Sequence, residues 1–312
     1  MYKKILKSAV LFSAISITSV FAQNLPEVPE GAEAVSLLDG RALTMPDPTN
    51  EAVIKNLDEA SYRYMDYPMN PENAIWYGRR LAYAGDFRKA IQAFSDGILD
   101  NPNDARMYRH RGHRYITIRE FDRAIADLEK AAEMIQGKPN QSEPDGAPNE
   151  FGIPLSTLHG NIYYHLGLAY YLKQDWENAK RVYDLDHSVA QNDDNRVSVA
   201  HWRYMIRRRM GDSHEQAVHV LDEINADMEI LENYTYHKLA LFYKGEISEA
   251  EISEGIDMED SADAATAYGL ANWHYYNGDE AKAKGMLESM MKAKAWGSFG
   301  YIAAEADLAA LK

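Results

Sequence analysis

The chain has 312 residues, with 48 Asp and Glu against 33 Lys and Arg, a formal net charge of −15 at pH 7 and no cysteine. An acidic chain without a Lys/Arg-rich tail argues against binding to nucleic acid or to an anionic lipid surface. The lack of cysteine excludes disulfide stapling, and also the lipoprotein anchor, which needs a Cys at its cleavage site.

In chain order, residues 1–22 read as a signal peptide. Lys3, Lys4 and Lys7 give a positive start, and the apolar run from Ala9 to Val20 is broken only by Ser and Thr. Ala22 places a small residue before a cut ahead of Gln23. The run falls short of the roughly 20 residues a spanning helix needs. The expectation is an exported protein, periplasmic or secreted, with no direct membrane insertion after cleavage. Residues 23–49 carry Pro26, Pro29, Pro46 and Pro48 and read as an extended, weakly ordered lead-in. Residues 50–70 hold an N-terminal helix, capped by Asn50 and spaced helically through Val53, Leu57, Ala60 and Tyr64.

From residue 71 the chain repeats. Gly78 falls on Gly112, Phe87 on Phe121, Ala90 on Ala124, Ile91 on Ile125 and Phe94 on Leu128, each 34 residues on. A fixed period of that length marks a stacked array of helical hairpins. Small residues let the two helices of a hairpin approach, and the aromatic plugs the gap between hairpins. In the first repeat the hairpin turn is Ala84-Gly85-Asp86-Phe87, and Pro102 ends the second helix. In the second, Arg119-Glu120-Phe121 stands at the turn, which must form without the freedom of glycine. A third copy lies 55 residues on (Gly167, Trp176, Ala179), and the excess is an insertion loop at 137–157, rich in proline and glycine. Gly211, Gly245 and Gly278 continue the period at 34 and 33 residues. Ala293 to Leu311 reads as a closing helix with Ile302, Ala306, Leu308 and Leu311 on its apolar face.

The small Gly, the aromatic, the Ala and the terminal Pro resemble the tetratricopeptide repeat (TPR). The resemblance covers residues 71–312. It implies an all-α, right-handed superhelical solenoid of about six TPR-like hairpins with a C-terminal closing helix, its first helices lining a concave groove.

The most unusual local stretch is Arg106-Met107-Tyr108-Arg109-His110-Arg111-Gly112-His113-Arg114, basic in an acidic protein. Carrying over the family's groove positions places Arg106, Arg109 and His113 on the concave side, with Arg79 and Tyr83 one repeat earlier. Tyr164 and Tyr171 follow in the third repeat, His201, Met205, Arg208 and Arg209 in the fourth, and Tyr268, Asn272 and Tyr275 in the sixth. Tyr108, Tyr115, Tyr163 and Tyr170 fall at interior positions of the same register. Guanidinium groups fit a carboxylate or phosphate through a planar fork of donors, and Tyr adds stacking area with a polar tip. The resemblance therefore implies a scaffold for a protein or peptide partner, acidic or carboxylate-bearing. Three readings compete: ion pairing of the arginines with Asp127, Glu129 and Glu133, an enzyme or regulatory subunit taking an anionic small molecule at the Arg/His cluster, and a cell-envelope assembly component.

No catalytic motif occurs. The chain has no P-loop, no Gly-x-Ser-x-Gly turn and no His-Glu-x-x-His. His110 and His113 share a helix face but lack further ligands. The expectation is no enzymatic activity, no metal and no cofactor.

Overall fold

The computed structural model describes residues 25–257 and 260–311; the expected signal peptide lies outside the described residues. Helix α1 (Glu51–Asp66) starts where the Asn50 side chain accepts the Ala52 and Val53 N–H groups. Helix α2 (Pro71–Tyr83) is capped by Asn70 and opens on proline, whose missing N–H costs nothing there. It pairs with α3 (Phe87–Asp100). Next come α4 (Ala105–Thr117) with α5 (Phe121–Ile135), and α6 (Leu158–Leu172) with α7 (Trp176–Val189). The fourth hairpin joins α8 (Asp193–Arg209) to α9 (His214–Ala217), which runs into a 3₁₀ turn. The fifth joins α10 (Tyr234–Tyr243) to α11 (Glu249–Ser253), and the sixth joins α12 (Ser261–Tyr276) to α13 (Glu280–Met290). Six hairpins thus follow α1, the fourth and fifth with shortened second helices.

The repeated glycines work by close approach. A Cβ on Gly78 would lie 2.5 Å from the Phe94 ring, one on Gly112 2.7 Å from Leu128, and one on Gly167 2.6 Å from Tyr183. In each hairpin the same second-helix side chain fills the space the glycine leaves. The turns show a second pattern. Gly85 takes a left-handed φ of 90°, and the equivalent turns hold Arg119 at 69° and Gln174 at 58°. For residues with a Cβ this conformation is strained and must be held by the surroundings.

What holds Arg119 is the closing helix α14 (Phe299–Ala310), which folds back onto the first helices α6 and α12. Arg119 Nε donates to Glu305 Oε2 at 2.8 Å and Nη2 to the Trp296 carbonyl at 2.9 Å. A further donation goes to its own helix end at the Thr117 carbonyl. Glu305 is fully buried. Two residues along α14, Asp307 pairs with Arg209 and accepts from Tyr268 Oη at 2.8 Å. Tyr301, Ile302, Ala303, Ala304 and Leu308 join the main apolar core. Of the expected apolar face of this helix, Ile302 and Leu308 are buried, Ala306 is half-buried and Leu311 lies exposed just beyond the helix end.

The lead-in expected to be weakly ordered is folded from residue 25 on. Strands β1 (Ala34–Val35) and β2 (Ala42–Leu43) pair antiparallel, Ala34 opposite Leu43. Ala34 and Leu43 are buried. Arg41 donates to Tyr301 Oη at 2.7 Å, and Trp296 Nε1 donates to the Thr44 carbonyl at 2.8 Å. The prolines that signalled disorder sit outside the paired residues, and the few apolar side chains between them find a core supplied by α14.

Two outcomes test this account. Gly112→Ala forces Leu128 to move and should cost about 1–3 kcal/mol, the usual range for overpacking, read as a lower urea midpoint with unchanged helicity. A variant as stable as the parent would show that the hairpin is not closed by this contact. Glu305→Ala orphans Arg119 and should cost about 3–5 kcal/mol, with a change in Trp296 emission; an unchanged midpoint would refute the docking of α14 as described.

Candidate functional site

The inner face of the solenoid divides into a filled part and an open end. In the filled part, Tyr171 and Tyr268 are buried and joined Oη to Oη at 2.8 Å. Asn272 Oδ1 accepts from Arg209 Nε at 2.7 Å, and Tyr275 stacks on the same guanidinium at 4.5 Å. His201 is buried with Nδ1 3.2 Å from Tyr243 Oη. Tyr164 accepts from Trp202 Nε1 at 2.9 Å and meets Tyr236 Oη at 3.0 Å. These residues do lie on first helices. They do not line one continuous groove: Tyr164 borders a cleft of about 290 Å³, Asn272 and Tyr275 border a separate cavity of about 210 Å³, and Tyr171, Tyr268 and His201 are buried.

Two positions need correction. Arg208 does not reach the interior: it donates to the Tyr276 carbonyl at 2.8 Å and to Asp212 and Asn277, while Arg209 one residue on holds Asp307. The tyrosines of the third repeat are also the reverse of the interior reading. Tyr163 and Tyr170 are only half-buried, Tyr170 donating to Glu129 at 2.8 Å, whereas Tyr171 is core; Tyr108 and Tyr115 are buried. A filled inner face reverses which side of a helix is drier.

At the open end the insertion lies along the rim. Ser142 bridges Thr157, closing residues 143–156 into a strap. Arg79 Nη1 donates to the Pro144 carbonyl at 2.8 Å and Arg80 Nη1 to that of Gly146 at 2.9 Å. Gly146 passes so near Tyr83 that a side chain there would collide with it. Glu143 is carried inward between Arg109, whose Nε lies 3.4 Å from Oε2, and His110, whose Nε2 lies 3.0 Å from Oε1. Asn161 Nδ2 donates to Oε2 at 2.6 Å. Arg109 Nη1 donates to His110 Nδ1 at 2.7 Å, which leaves the imidazole proton on Nε2, facing the carboxylate. Burial and the adjacent Arg109 push the His110 imidazole down to about 3, so it is neutral at pH 7. Burial alone would raise the Glu143 carboxyl, but Arg109, His110 and Asn161 hold it well below the usual glutamate range.

Beneath the strap is a cavity of about 180 Å³ lined by Arg79, Tyr83, Arg109, His110, His113, Arg114, Glu143 and Asp145. Asp145 is turned to its own loop, accepting the Ala147 N–H at 3.0 Å. His113 packs against His165 at 4.2 Å and Phe299 at 5.2 Å, and burial keeps its imidazole neutral. Arg114 lies over the Phe87 ring at 5.6 Å and has no hydrogen bond or ion pair with any described residue. Burial and the charge of Arg109 push its guanidinium down to about 9. Three guanidinium groups therefore face one engaged carboxylate, which suits an incoming anion.

Ion pairing accounts for other parts of the basic run. Arg111 forks onto Asp127 at 2.7 and 2.8 Å, and Arg106 bonds Asp104 and Glu72 away from the cavity. Among the described residues no group of three His, Asp or Glu is placed to hold a metal, and no helix is long and apolar enough to cross a membrane.

Glu143 sets a pH dependence. Its folded pKa is depressed, so its stabilisation is present above the unfolded value of about 4.3 and is lost as pH falls below it. Glu143→Gln should lower stability by about 1.5–3 kcal/mol at pH 7, and the gap from the parent should narrow below about pH 4. Urea midpoints at the two pH values check this; a gap that stays constant would mean the carboxylate charge is not what Arg109 needs.

No protein-family model matches the chain. It is similar to YrrB, a TPR protein with an unusual peptide-binding site, at 14% identity over 76% of this chain and 92% of that one, with a TM-score of 0.41. It is similar to a Podosopora anserina putative kinesin light chain with nearly identical TPR-like repeats, at 12% identity over 72% and 95%, TM-score 0.43. BtubC (BKLC) from P. vanneervenii gives 15% identity over 77% and 87%, TM-score 0.44. By its own 34-residue period and its hairpin packing, the chain is an all-α solenoid of TPR-like repeats.

Proposed function

We propose that the protein is an exported, non-catalytic scaffold that holds a protein or peptide partner by a carboxylate-bearing group seated in the cavity beneath the strap. Arg114 carries this reading. It is a cation at a cavity wall with no counter-charge bonded to it, beside Arg79 and Arg109. An arriving carboxylate would gain charge-assisted hydrogen bonds in a partly dry site, where they are strong. The carboxylate site lies at the α2–α4 end, with the exposed Tyr83 beside it. Export rests on the leader at residues 1–22.

A second reading, capture of a free small anion, draws on the cavity's modest size, about 180 Å³. Short acidic peptides with free and with amidated C-termini separate the two. The free-carboxylate form should bind at least about tenfold more tightly, some 1.4 kcal/mol. Arg114→Gln and Arg79→Ala should each erase that preference with helicity intact. Equal binding of both forms, or an unaffected Arg114→Gln protein, would sink the scaffold reading; binding of acetate or inorganic phosphate without any peptide binding would favour the small anion.

A further inference from the structure

Next to the cationic cavity lies a cleft of about 290 Å³ with a different character. Ser156 and Asn161 form part of both walls. The cleft is lined by no Lys or Arg at all. Its wall includes Asp186 of α7, Asn161, Tyr164 and His165 of α6, Asn233, Tyr236 of α10, and Phe299 of α14. Asp186 is 4% exposed, and its Oδ2 is enclosed without a hydrogen-bond partner. Burial alone raises its carboxyl well above the usual range, since no neighbouring cation opposes it. Gly160 stands opposite: a Cβ there would come within 3.6 Å of Asp186 Oδ1.

A buried carboxyl left unpaired is costly and calls for an explanation. The other polar groups of the wall point to one. Asn161 donates one amide hydrogen to Glu143 and Asn233 one to the Asp194 carbonyl, and the side-chain oxygen of each makes no hydrogen bond with a described residue. The cleft thus presents two carbonyl oxygens, a carboxyl and aromatic rings. Its missing complement is a donor with positive charge, which aromatic faces also favour.

We infer that this cleft is a second binding site, specific for an organic ammonium group, with Asp186 as the counter-ion and Tyr164, Tyr236 and Phe299 as the surrounding rings. The site stands apart from the carboxylate reading of the neighbouring cavity. An entering ammonium group gives the Asp186 carboxyl the positive partner it otherwise lacks. The other titratable groups at hand are Tyr164 and His165 of α6, Tyr236 of α10 and Tyr183 of α7. All are neutral at pH 7, because burial raises the tyrosines and lowers the imidazole.

Calorimetry with n-butylammonium, and with n-butanol as the uncharged isostere, tests the site. The amine should bind at least about tenfold more tightly than the alcohol. Asp186→Asn should fold at least as well as the parent and lose amine binding, while Arg114→Gln should keep it. The inference is overturned if the parent protein does not bind the amine or binds the alcohol equally well. It is also overturned if Asp186→Asn binds the amine as tightly as the parent. The comparison of amine with alcohol is made on the unaltered protein, so it decides the matter even if the variant misfolds.

Discussion

The ion pair between Arg119 and Glu305 is the constraint from which most of this structure follows. It joins residues 186 apart in sequence, with both side chains withdrawn from water. Two buried charges are tolerated only when each finds its partners, and Arg119 also satisfies the carbonyls of Thr117 and Trp296. Geometry then requires a left-handed backbone at Arg119, where the first repeat uses glycine. The turn gives up local comfort and gains a guanidinium directed into the interior. With α14 fixed there, the inner face ceases to be a groove over much of its length, and the lead-in acquires a surface on which its two short strands can settle.

Much of the architecture was legible from spacing. The positions of Gly78, Gly112 and Gly167 follow from a rule local to each hairpin, and a rule repeated every 34 residues can be read from one chain. The destination of α14 could not be read that way. Its apolar face was visible, but Glu305 and Asp307 bind partners that share no period with them. The insertion was visible as a break in register, whereas the position of Glu143 depends on how the strap crosses Arg79 and Arg80. Of Arg208 and Arg209, both expected on the inner face of the fourth repeat, only Arg209 engages α14. A signal did exist: Arg119 stands where glycine is expected, and its side chain reaches α14. A residue that accepts strain at a turn is usually held by something distant.

The candidate site was legible in composition more than in position. Arg79, Arg109 and His113 do meet around one cavity, as their shared face and one-period separation imply. Arg114, one residue off that face, shares the wall because the strap and Phe87 shape it. The neutral cleft beyond Asn161 left no trace in the pattern of charges, since its defining feature is an acid without a partner. One wall thus separates a surface suited to anions from one suited to cations, and Asn161 belongs to both.

The closing helix also alters how a repeat array behaves as a thermodynamic object. In an ordinary solenoid each repeat touches only its neighbours, so stability adds up along a line and the ends can fray independently. Here α14 ties the second repeat through Arg119, the fourth through Arg209 and the sixth through Tyr268. Those links make distant repeats share one fate and convert a linear array into a single cooperative unit. They also raise the mean sequence separation of native contacts, and folding slows as that separation grows. The protein exchanges the rapid, piecemeal folding open to a repeat array for a slower and more concerted transition.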